Sequence, residues 1–437
     1  MMVEPITMGF AGIAGLILLA GMGVPIAFAI TLVGAVGMAL VTDVEFVLVT
    51  FQSLPYATAS EYAFAVIPMF VLMGAIASSA GMIGELYAAV NRWLERVRGG
   101  LYIATALASA GFAAISGSTV VNAAMFTRIA LPEMLALGYN RGISAGCIAA
   151  AGTFAALIPP SLTFVIFGIL TGESIGELFI AGIVPGLLTA AFYVVVIPVM
   201  LRFRPEWAPR LDLHSTLGEK LRGMTGIWPM LLLVVIVLGG IYTGITPPTA
   251  AGALGAVGAL LIALGRRKIG AGQIWEAVRQ TAELTSVLFI IIIGGLLFSR
   301  FLVVSGFVAE LTVLVTDSGL TGPAFILVMV AMYLVMGMFI DPLSMLVMTV
   351  PFVYPVIKSL GMDPIWFAIV LTKMIEIAVI TPPVGLNLFA VISAAGGRVK
   401  TGEMFYGVLP FVLMEVVILA ILIVFPVLST WLPDTMH

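Results

Sequence analysis

Ile115-Ser116-Gly117-Ser118-Thr119 and Ile340-Asp341-Pro342-Leu343-Ser344 are two short polar stretches inside long apolar runs. Small polar and acidic residues at membrane depth are expensive unless they line a cavity or a pathway. A second polar break follows each stretch about 40 residues later, as Ile158-Pro159-Pro160-Ser161 and as Thr381-Pro382-Pro383-Val384. These four breaks predict the transport site of a secondary carrier.

The composition is that of a membrane protein. Hydrophobic residues make up 62% of the chain and charged residues 9%, whereas a soluble domain carries roughly 25% charged residues. Because a span needs about 20 apolar residues, 437 residues allow about ten spans and some partial ones. The first apolar run follows Glu4 without a basic segment or a cleavage site, so we expect a retained span. The fold class is therefore all-α and polytopic.

The rare side chains exclude several classes of chemistry. Cys147 is the single cysteine, which excludes an intrachain disulfide and a cysteine-based metal cluster. His214 and His437 are the two histidines, one in a polar loop and one at the C-terminus. A histidine metal site or a histidine-based catalytic triad is therefore not expected. The net charge of −3 carries no nucleic-acid signal.

Hydropathy divides the chain into spans, hairpins and interfacial helices. Full spans are expected at about 6–20, 26–41, 63–77, 178–201, 227–241, 248–264, 285–299 and 405–428, with broken spans at 142–170 and 365–395. Re-entrant hairpins are expected at 101–137 and 323–357, with Ser116-Gly117-Ser118 and Asp341 at their tips. Segments 82–98 and 303–316 are expected to lie at the membrane interface, and 202–226 to be a polar loop.

The two halves of the chain repeat with an offset of 223 residues. The matching pairs are Gly99 and Gly322, Ser118 and Asp341, Pro132 and Pro355, Gly138 and Gly361, and Pro159-Pro160 and Pro382-Pro383. Five full spans in each half would invert the second half relative to the first. Placing the feet of the first hairpin in the cytoplasm puts most basic residues inside, as the positive-inside rule requires. Broken helices in inverted repeats mark a mid-membrane binding site.

The repeat predicts six segments along the chain. They are 1–98 (first scaffold and arm helix), 99–172 (first hairpin and broken helix), 173–226 (connecting span and cytoplasmic loop), 227–321 (second scaffold and arm helix), 322–397 (second hairpin and broken helix) and 398–437 (last span).

The breaks predict two kinds of ligand. Freed carbonyls and hydroxyls suit Na⁺, a hard cation that prefers oxygen, and N-terminal half-helix ends suit a carboxylate. The predicted sodium ligands are Ser116, Gly117, Ser118, Thr119, Asn122, Thr153, Ile158, Asp341, Ser344, Thr381, Pro382, Gly385 and Asn387. The predicted substrate ligands are Ser161, Thr163, Arg300, Lys373 and Glu376.

Several of these residues also have a structural interpretation. Asp341 could cap the half-helix that follows it, and the hydroxyl residues could hold helices together. Lys373 and Glu376 are three residues apart, so they can pair on one helix face and either handle substrate or protons or simply neutralise each other. Arg300 follows a span and could bind a carboxylate or extend to the interface.

Five stretches carry a resemblance to a known family. They are Pro68-Met69-Phe70-Val71-Leu72-Met73-Gly74, Ala114-Ile115-Ser116-Gly117-Ser118, Ile158-Pro159-Pro160-Ser161, Ala181-Gly182-Ile183-Val184-Pro185-Gly186 and Thr381-Pro382-Pro383-Val384-Gly385-Leu386-Asn387-Leu388. Together they resemble the large membrane (M) subunit of TRAP transporters, the tripartite ATP-independent periplasmic carriers.

The resemblance implies a sodium-coupled importer of organic acids in a bacterial inner membrane, with C4-dicarboxylates, keto acids or sialic acid as typical substrates. It implies an elevator mechanism, a small four-helix membrane (Q) subunit, a periplasmic substrate-binding (P) protein, surrounding membrane lipid, and no cofactor apart from Na⁺ as the coupling ion. Because residue 1 leads almost directly into the first span, we expect the small subunit to be a separate chain.

Three alternatives stay open from the residues alone. The first is a self-sufficient organic-anion carrier that needs no binding protein. The second is a membrane enzyme, although the sequence has no Cys or His constellation. The third is a channel, which the unequal residues at the two hairpin tips disfavour.

Overall fold

The computed structural model describes residues 4–210 and 215–435, so that His214 and His437 lie outside it. Within these residues the chain is helical and contains no strand. The helices are α1 Pro5–Gly21, α2 Ile26–Val41, α3 Val44–Ser60, α4 Val66–Ser79, α5 Met82–Leu94, α6 Gly100–Ser116, α7 Thr119–Ala136, α8 Arg141–Leu157, α9 Leu162–Thr171, α10 Ile175–Phe203, α11 Leu217–Met224, α12 Trp228–Val234, α13 Gly240–Tyr242, α14 Pro248–Gly265, α15 Ala271–Val304, α16 Phe307–Asp317, α17 Gly322–Met336, α18 Pro342–Ser359, α19 Pro364–Ala378, α20 Leu386–Ala395, α21 Thr401–Val424 and α22 Val427–Asp434.

Seven helices of the described residues are long and apolar enough to cross a membrane, or eight if α11 and the bent helix after it count as one span. The broken span predicted at 142–170 is confirmed, because α8 and α9 together form a 31-residue span. The first two helices have 17 and 16 residues and fall just short of this length. The exact number of full spans, about ten, therefore stays a prediction.

Three predicted boundaries were wrong. The helix that contains the span predicted at 285–299 begins at Ala271. Its first turns are polar and exposed, and Arg279 pairs there with the carboxylates of Glu276 at 3.5 Å and Glu283 at 3.4 Å. The last span ends at Val424, before Pro426, and a separate helix follows it. The loop at 202–226 contains α11.

Thr216 and Glu219 explain why a helix forms inside the predicted loop. The Thr216 hydroxyl accepts from the Glu219 N–H at 3.3 Å, and the Glu219 carboxylate accepts from the Thr216 N–H at 2.7 Å. This capping box satisfies donors that would otherwise be free at the first turn of α11.

The 223-residue repeat is visible in the backbone. Helices α7 and α18 begin at residues 119 and 342, and α8 and α19 begin at 141 and 364, each pair 223 apart. Gly138 and Gly361 follow α7 and α18 with φ of +81° and +67°, the left-handed conformation that ends many helices and favours glycine. The Pro159-Pro160 and Pro382-Pro383 bonds are both cis.

The two central helices of the repeats form the core. Every residue of α8 from Gly142 onward is buried, as is every residue of α19 from Ile365 onward. Small residues bring α8 and α21 into backbone contact, since a Cβ at Gly146 would lie 2.3 Å from the Gly407 carbonyl oxygen. The two hairpins and the second halves of the broken helices pack around α8 and α19.

Candidate functional site

The two hairpin tips and the second halves of the two broken helices meet at one cavity of ≈320 Å³. Ser118 and Asp341 line it from the two hairpin tips, and Thr163 and Leu386 line it from the second halves of the two broken helices. Each pair is 223 residues apart, so equivalent positions of both repeats face the same space. The opposite wall is apolar and is built by α15, from Leu284, Val287, Leu288 and Ile291.

Four helices begin at this cavity. The first turns of α7, α9, α18 and α20 contribute lining residues, among them Thr119, Leu162, Pro342 and Leu386. The N-terminal end of a helix carries free N–H groups and a partial positive charge. The ends whose N–H groups are not already bonded therefore make the cavity suited to an anion, whereas the N–H groups of Leu343 and Ser344 in α18 donate to Asp341.

The first hairpin tip turns at Gly117, whose φ is +60°. A Cβ there would lie 3.1 Å from the Pro160 carbonyl oxygen, so the tip rests directly on the first proline break. The Ser118 side chain does not cap α7. The hydroxyl of Ser116 is buried and has no hydrogen-bond partner.

The second hairpin tip is organised by Asp341. Its Oδ1 accepts hydrogen bonds from the N–H groups of Leu343 at 3.2 Å and Ser344 at 3.0 Å. The capping role considered from the sequence is thus confirmed. Asp341 is half-buried and faces the cavity, so its carboxylate can also act on a bound ion. The buried Ser344 hydroxyl has no hydrogen-bond partner.

Two buried asparagines contact the central helix α8. Asn122 donates to the carbonyls of Ser109 at 3.4 Å and Gly152 at 3.5 Å, and Asn387 donates to the Ala149 carbonyl at 3.3 Å. The amide oxygens of both asparagines are buried without a partner. Such groups are rare in native structures and suggest an ion or water that binds there.

Four predicted sodium ligands thus have free oxygens, namely Ser116, Asn122, Ser344 and Asn387. Some buried oxygens outside the predicted set, such as that of Ser144, also lack a hydrogen-bond partner. A missing partner therefore supports an ion site only at the positions where the sequence predicts a ligand. No group of three or more His, Cys, Asp or Glu side chains in 4–210 and 215–435 is placed to hold a metal ion. Neutral oxygens with one nearby carboxylate suit an alkali cation better than a transition metal.

The remaining predicted sodium ligands have local roles. The Thr153 hydroxyl donates to the Ala150 carbonyl of its own helix, and the Thr381 hydroxyl donates to the Ile377 carbonyl of the preceding helix α19, both at 2.7 Å. Ile158 lines a separate apolar cavity. Gly385 has a φ of +30°, and Pro382 belongs to the second cis bond. These residues shape the breaks.

Of the predicted substrate ligands, only Thr163 lines the cavity. Ser161 donates to the Ala156 carbonyl. Arg300 is exposed and lies over the Phe46 ring, 5.3 Å from its centroid. Lys373 and Glu376 form the expected pair, at 2.7 Å, but they lie in a buried cluster and do not line the cavity.

Two groups of residues were missed. The apolar wall of α15 carries no sequence signal, because any span has such residues. Glu415 and Tyr193 belong to the buried cluster and are joined at 2.6 Å. A glutamate in the middle of the last span is energetically unfavourable, so Glu415 could have been noticed in the sequence.

Comparison with known proteins extends these observations. The family model described as "Tripartite ATP-independent periplasmic transporter, DctM component" matches residues 13–428. The C4-dicarboxylate TRAP transporter large permease protein DctM of Pseudomonas aeruginosa is 35% identical over 381 residues, 87% of this chain and 88% of that protein. The 2,3-diketo-L-gulonate TRAP transporter large permease protein YiaN of Escherichia coli is 33% identical over 417 residues, 92% of this chain and 94% of that protein.

A solved structure shares the fold. The YdaH transporter of Alcanivorax borkumensis superimposes with a TM-score of 0.64 at 15% identity, covering 95% of this chain and 98% of that one. At this identity the likeness concerns the fold alone.

Proposed function

We propose a function for this chain from the premise that it belongs to the DctM component family of tripartite ATP-independent periplasmic transporters. It is a large permease subunit of a bacterial inner membrane and not an enzyme. The activity proposed is sodium-coupled import of a small organic acid, such as a C4-dicarboxylate, keto acid or sialic acid, delivered by a periplasmic binding protein.

The observation that carries the proposal is the convergence of four helix N-termini on one cavity. Free N–H groups at the uncapped ends, and the partial positive charge of each helix end, favour a carboxylate. Three of the four ends have no side-chain cap, those of α7, α9 and α20. The fourth end, that of α18, is occupied by the Asp341 carboxylate. A substrate carboxylate therefore binds at the uncapped ends, and Asp341 favours a cation on its own side.

The sodium coupling is supported by the unpartnered oxygens of both halves. Ser116 and Asn122 offer oxygens beside the first hairpin, and Ser344 and Asn387 offer oxygens beside the second. Only the second tip has a carboxylate. Two ion sites, one per repeat, would therefore differ in charge and in affinity.

The elevator mechanism is supported by how the segments pack. Helices α2 and α15 are in backbone contact, since a Cβ at Gly34 would lie 2.9 Å from the Phe298 nitrogen. We assign them to a fixed scaffold (1–98 and 227–321). The hairpins and broken helices (99–172 and 322–397) form the moving block, and its boundary with the scaffold runs through the cavity.

The experiment is uptake into proteoliposomes that contain this chain and the small membrane subunit, with and without the periplasmic binding protein. The proposal expects sodium-driven uptake only when the binding protein is present. Equal uptake without the binding protein would favour the alternative, a self-sufficient organic-anion carrier. Unitary currents in the same membranes would indicate a channel and contradict both.

A further inference from the structure

A cluster of charged side chains is buried where α10, α19 and α21 meet, away from the cavity. The Lys373 ammonium lies 2.7 Å from Glu376 Oε2 and 2.5 Å from Glu415 Oε2, and all three side chains are 0% exposed. Lys373 also donates to the Thr189 hydroxyl at 3.2 Å, and the Tyr193 hydroxyl donates to Glu415 Oε1 at 2.6 Å. The cluster therefore joins helices of both halves.

The cluster has one positive group for two carboxyl groups. If both glutamates were ionised, one negative charge would remain uncompensated in a fully buried position, which is strongly unfavourable. Glu376 Oε1 is buried and has no hydrogen-bond partner. The other three carboxyl oxygens of the two glutamates contact Lys373 or Tyr193. A proton on Glu376 Oε1 therefore displaces none of these contacts.

The groups around the cluster do not supply the missing positive charge. Cys147 faces Tyr193 from α8 and is buried. Tyr333 of α17 is bonded to Thr349, while Tyr354 and Lys358 of α18 both contact Glu173. Asp434 near the end of α22 is exposed, and α9 contains no titratable residue.

The fold itself does not require these charges. The residues 223 positions before Lys373 and Glu376 are Ala150 and Thr153, which lie buried and uncharged on the equivalent helix α8. A buried ion pair is weak support for stability, because desolvation offsets the attraction. The charges in the second repeat are therefore not explained by a packing requirement that both repeats share.

We propose that this cluster is a proton-binding site in which Glu376 holds one proton on Oε1 while Lys373 and Glu415 stay ionised. The proton makes the cluster neutral and keeps α10, α19 and α21 packed together. Its loss leaves a buried negative charge and weakens this packing. The bond formed is O–H on Glu376; the proton comes from a hydronium ion of the solvent, whose O–H bond breaks and which leaves as water.

The direct test is infrared spectroscopy of the full-length chain in lipid nanodiscs at neutral pH. The wild type should show the C=O band of a protonated carboxylic acid, and Glu376→Gln should lack it. Glu283→Gln, which removes an exposed glutamate of α15, is the control and should retain the band. Absence of the band in the wild type, or its persistence in Glu376→Gln, would overturn the proposal.

A second variant keeps the test decisive if Glu376→Gln fails to fold. Glu415→Gln leaves Lys373 facing a single carboxylate, which is a neutral pair, so it should also lose the band. Raising the Na⁺ concentration at constant pH should leave the wild-type band unchanged. Loss of the band in Na⁺ would mean that the cluster binds the metal ion, and this would contradict the proton assignment.

The stability of the chain provides an independent readout. The folded cluster holds a proton that an exposed glutamate of the unfolded chain lacks at neutral pH, so unfolding releases one proton and stability falls as pH rises. One proton corresponds to a tenfold increase in the unfolding equilibrium constant per pH unit. Glu376→Gln should remove this component, and an unchanged pH slope would count against the proposal. None of these readouts involves uptake, so the result is independent of the proposed sodium coupling.

Discussion

Replacing Asp341 by asparagine removes the charge from the cavity while keeping an oxygen that can accept the N–H groups of Leu343 and Ser344. Replacing it by alanine removes both the charge and the cap. Loss of an N-cap costs about 1 kcal/mol, so Asp341→Ala should lower stability by roughly that amount and Asp341→Asn by much less. Loss of an interaction with a charged group costs about 1.5–3 kcal/mol, which is about 10- to 100-fold in Na⁺ affinity. Both variants should show this second loss.

Asp363 provides a matched control. It caps α19 by accepting from the Trp366 N–H at 2.7 Å, and a proline follows it as one follows Asp341. It does not line the cavity. Asp363→Ala should therefore destabilise the chain about as much as Asp341→Ala, while leaving the sodium dependence unchanged.

The assay is a Na⁺ titration of the initial uptake rate, combined with thermal unfolding of each purified variant. Asp341→Asn should require about 10- to 100-fold more Na⁺ for half-maximal uptake, with near wild-type stability. A wild-type Na⁺ requirement in Asp341→Asn would refute the role of the carboxylate. An equal rise in Asp363→Asn would show that the effect follows from helix capping.

Three further predictions concern other parts of the chain. A Cβ at Gly295 would lie 1.7 Å from a methyl group of Val347, where α15 meets the second hairpin, so Gly295→Ala should slow uptake strongly. Adding Val347→Ala should restore uptake, and failure of this rescue would mean that the contact does not limit transport. Asn387→Ala removes the buried hydrogen bond to the Ala149 carbonyl of α8 and should cost about 0.5–1.5 kcal/mol of stability as well as Na⁺ affinity; unchanged sodium dependence would remove Asn387 from the ion site. Hydrogen bonds from the N–H and hydroxyl of Thr216 hold the pKa of Glu219 below its usual value. The capping box should therefore stabilise α11 at pH values above the unfolded-state pKa of Glu219, and this contribution should be lost as the pH falls through the folded-state pKa. Helix content measured by amide exchange should show this dependence, and Thr216→Ala should weaken it.

The sequence was sufficient to predict the elements that line the candidate cavity. Glycine, proline and serine inside apolar runs are visible in a single chain, and the 223-residue offset tied the two sets together. The two hairpin tips and the second halves of the broken helices, which occupy equivalent positions in the two repeats, meet at one cavity. Asp341 is a predicted ligand because a carboxylate inside a hydrophobic run is energetically unfavourable without a function.

Other features depend on three-dimensional contacts that the sequence pattern does not contain. The α15 wall is made of ordinary apolar residues, and only packing places Leu288 and Asp341 at the same cavity. The predicted span excludes the first turns of α15, because their charged residues, which pair along an exposed helix face, lower the hydropathy there. Lys373 and Glu376 were expected to pair, but their third partner, Glu415, lies on a different helix.

We propose that Na⁺ drives movement of an organic acid through the cavity between the two hairpin tips. This coupling can be measured as the initial uptake rate of a C4-dicarboxylate in proteoliposomes that contain the chain, its small membrane subunit and a loaded binding protein, with an inward Na⁺ gradient. We expect accumulation that stops when the gradient is collapsed or when K⁺ replaces Na⁺ at the same ionic strength. Equal accumulation in K⁺ would refute the sodium coupling.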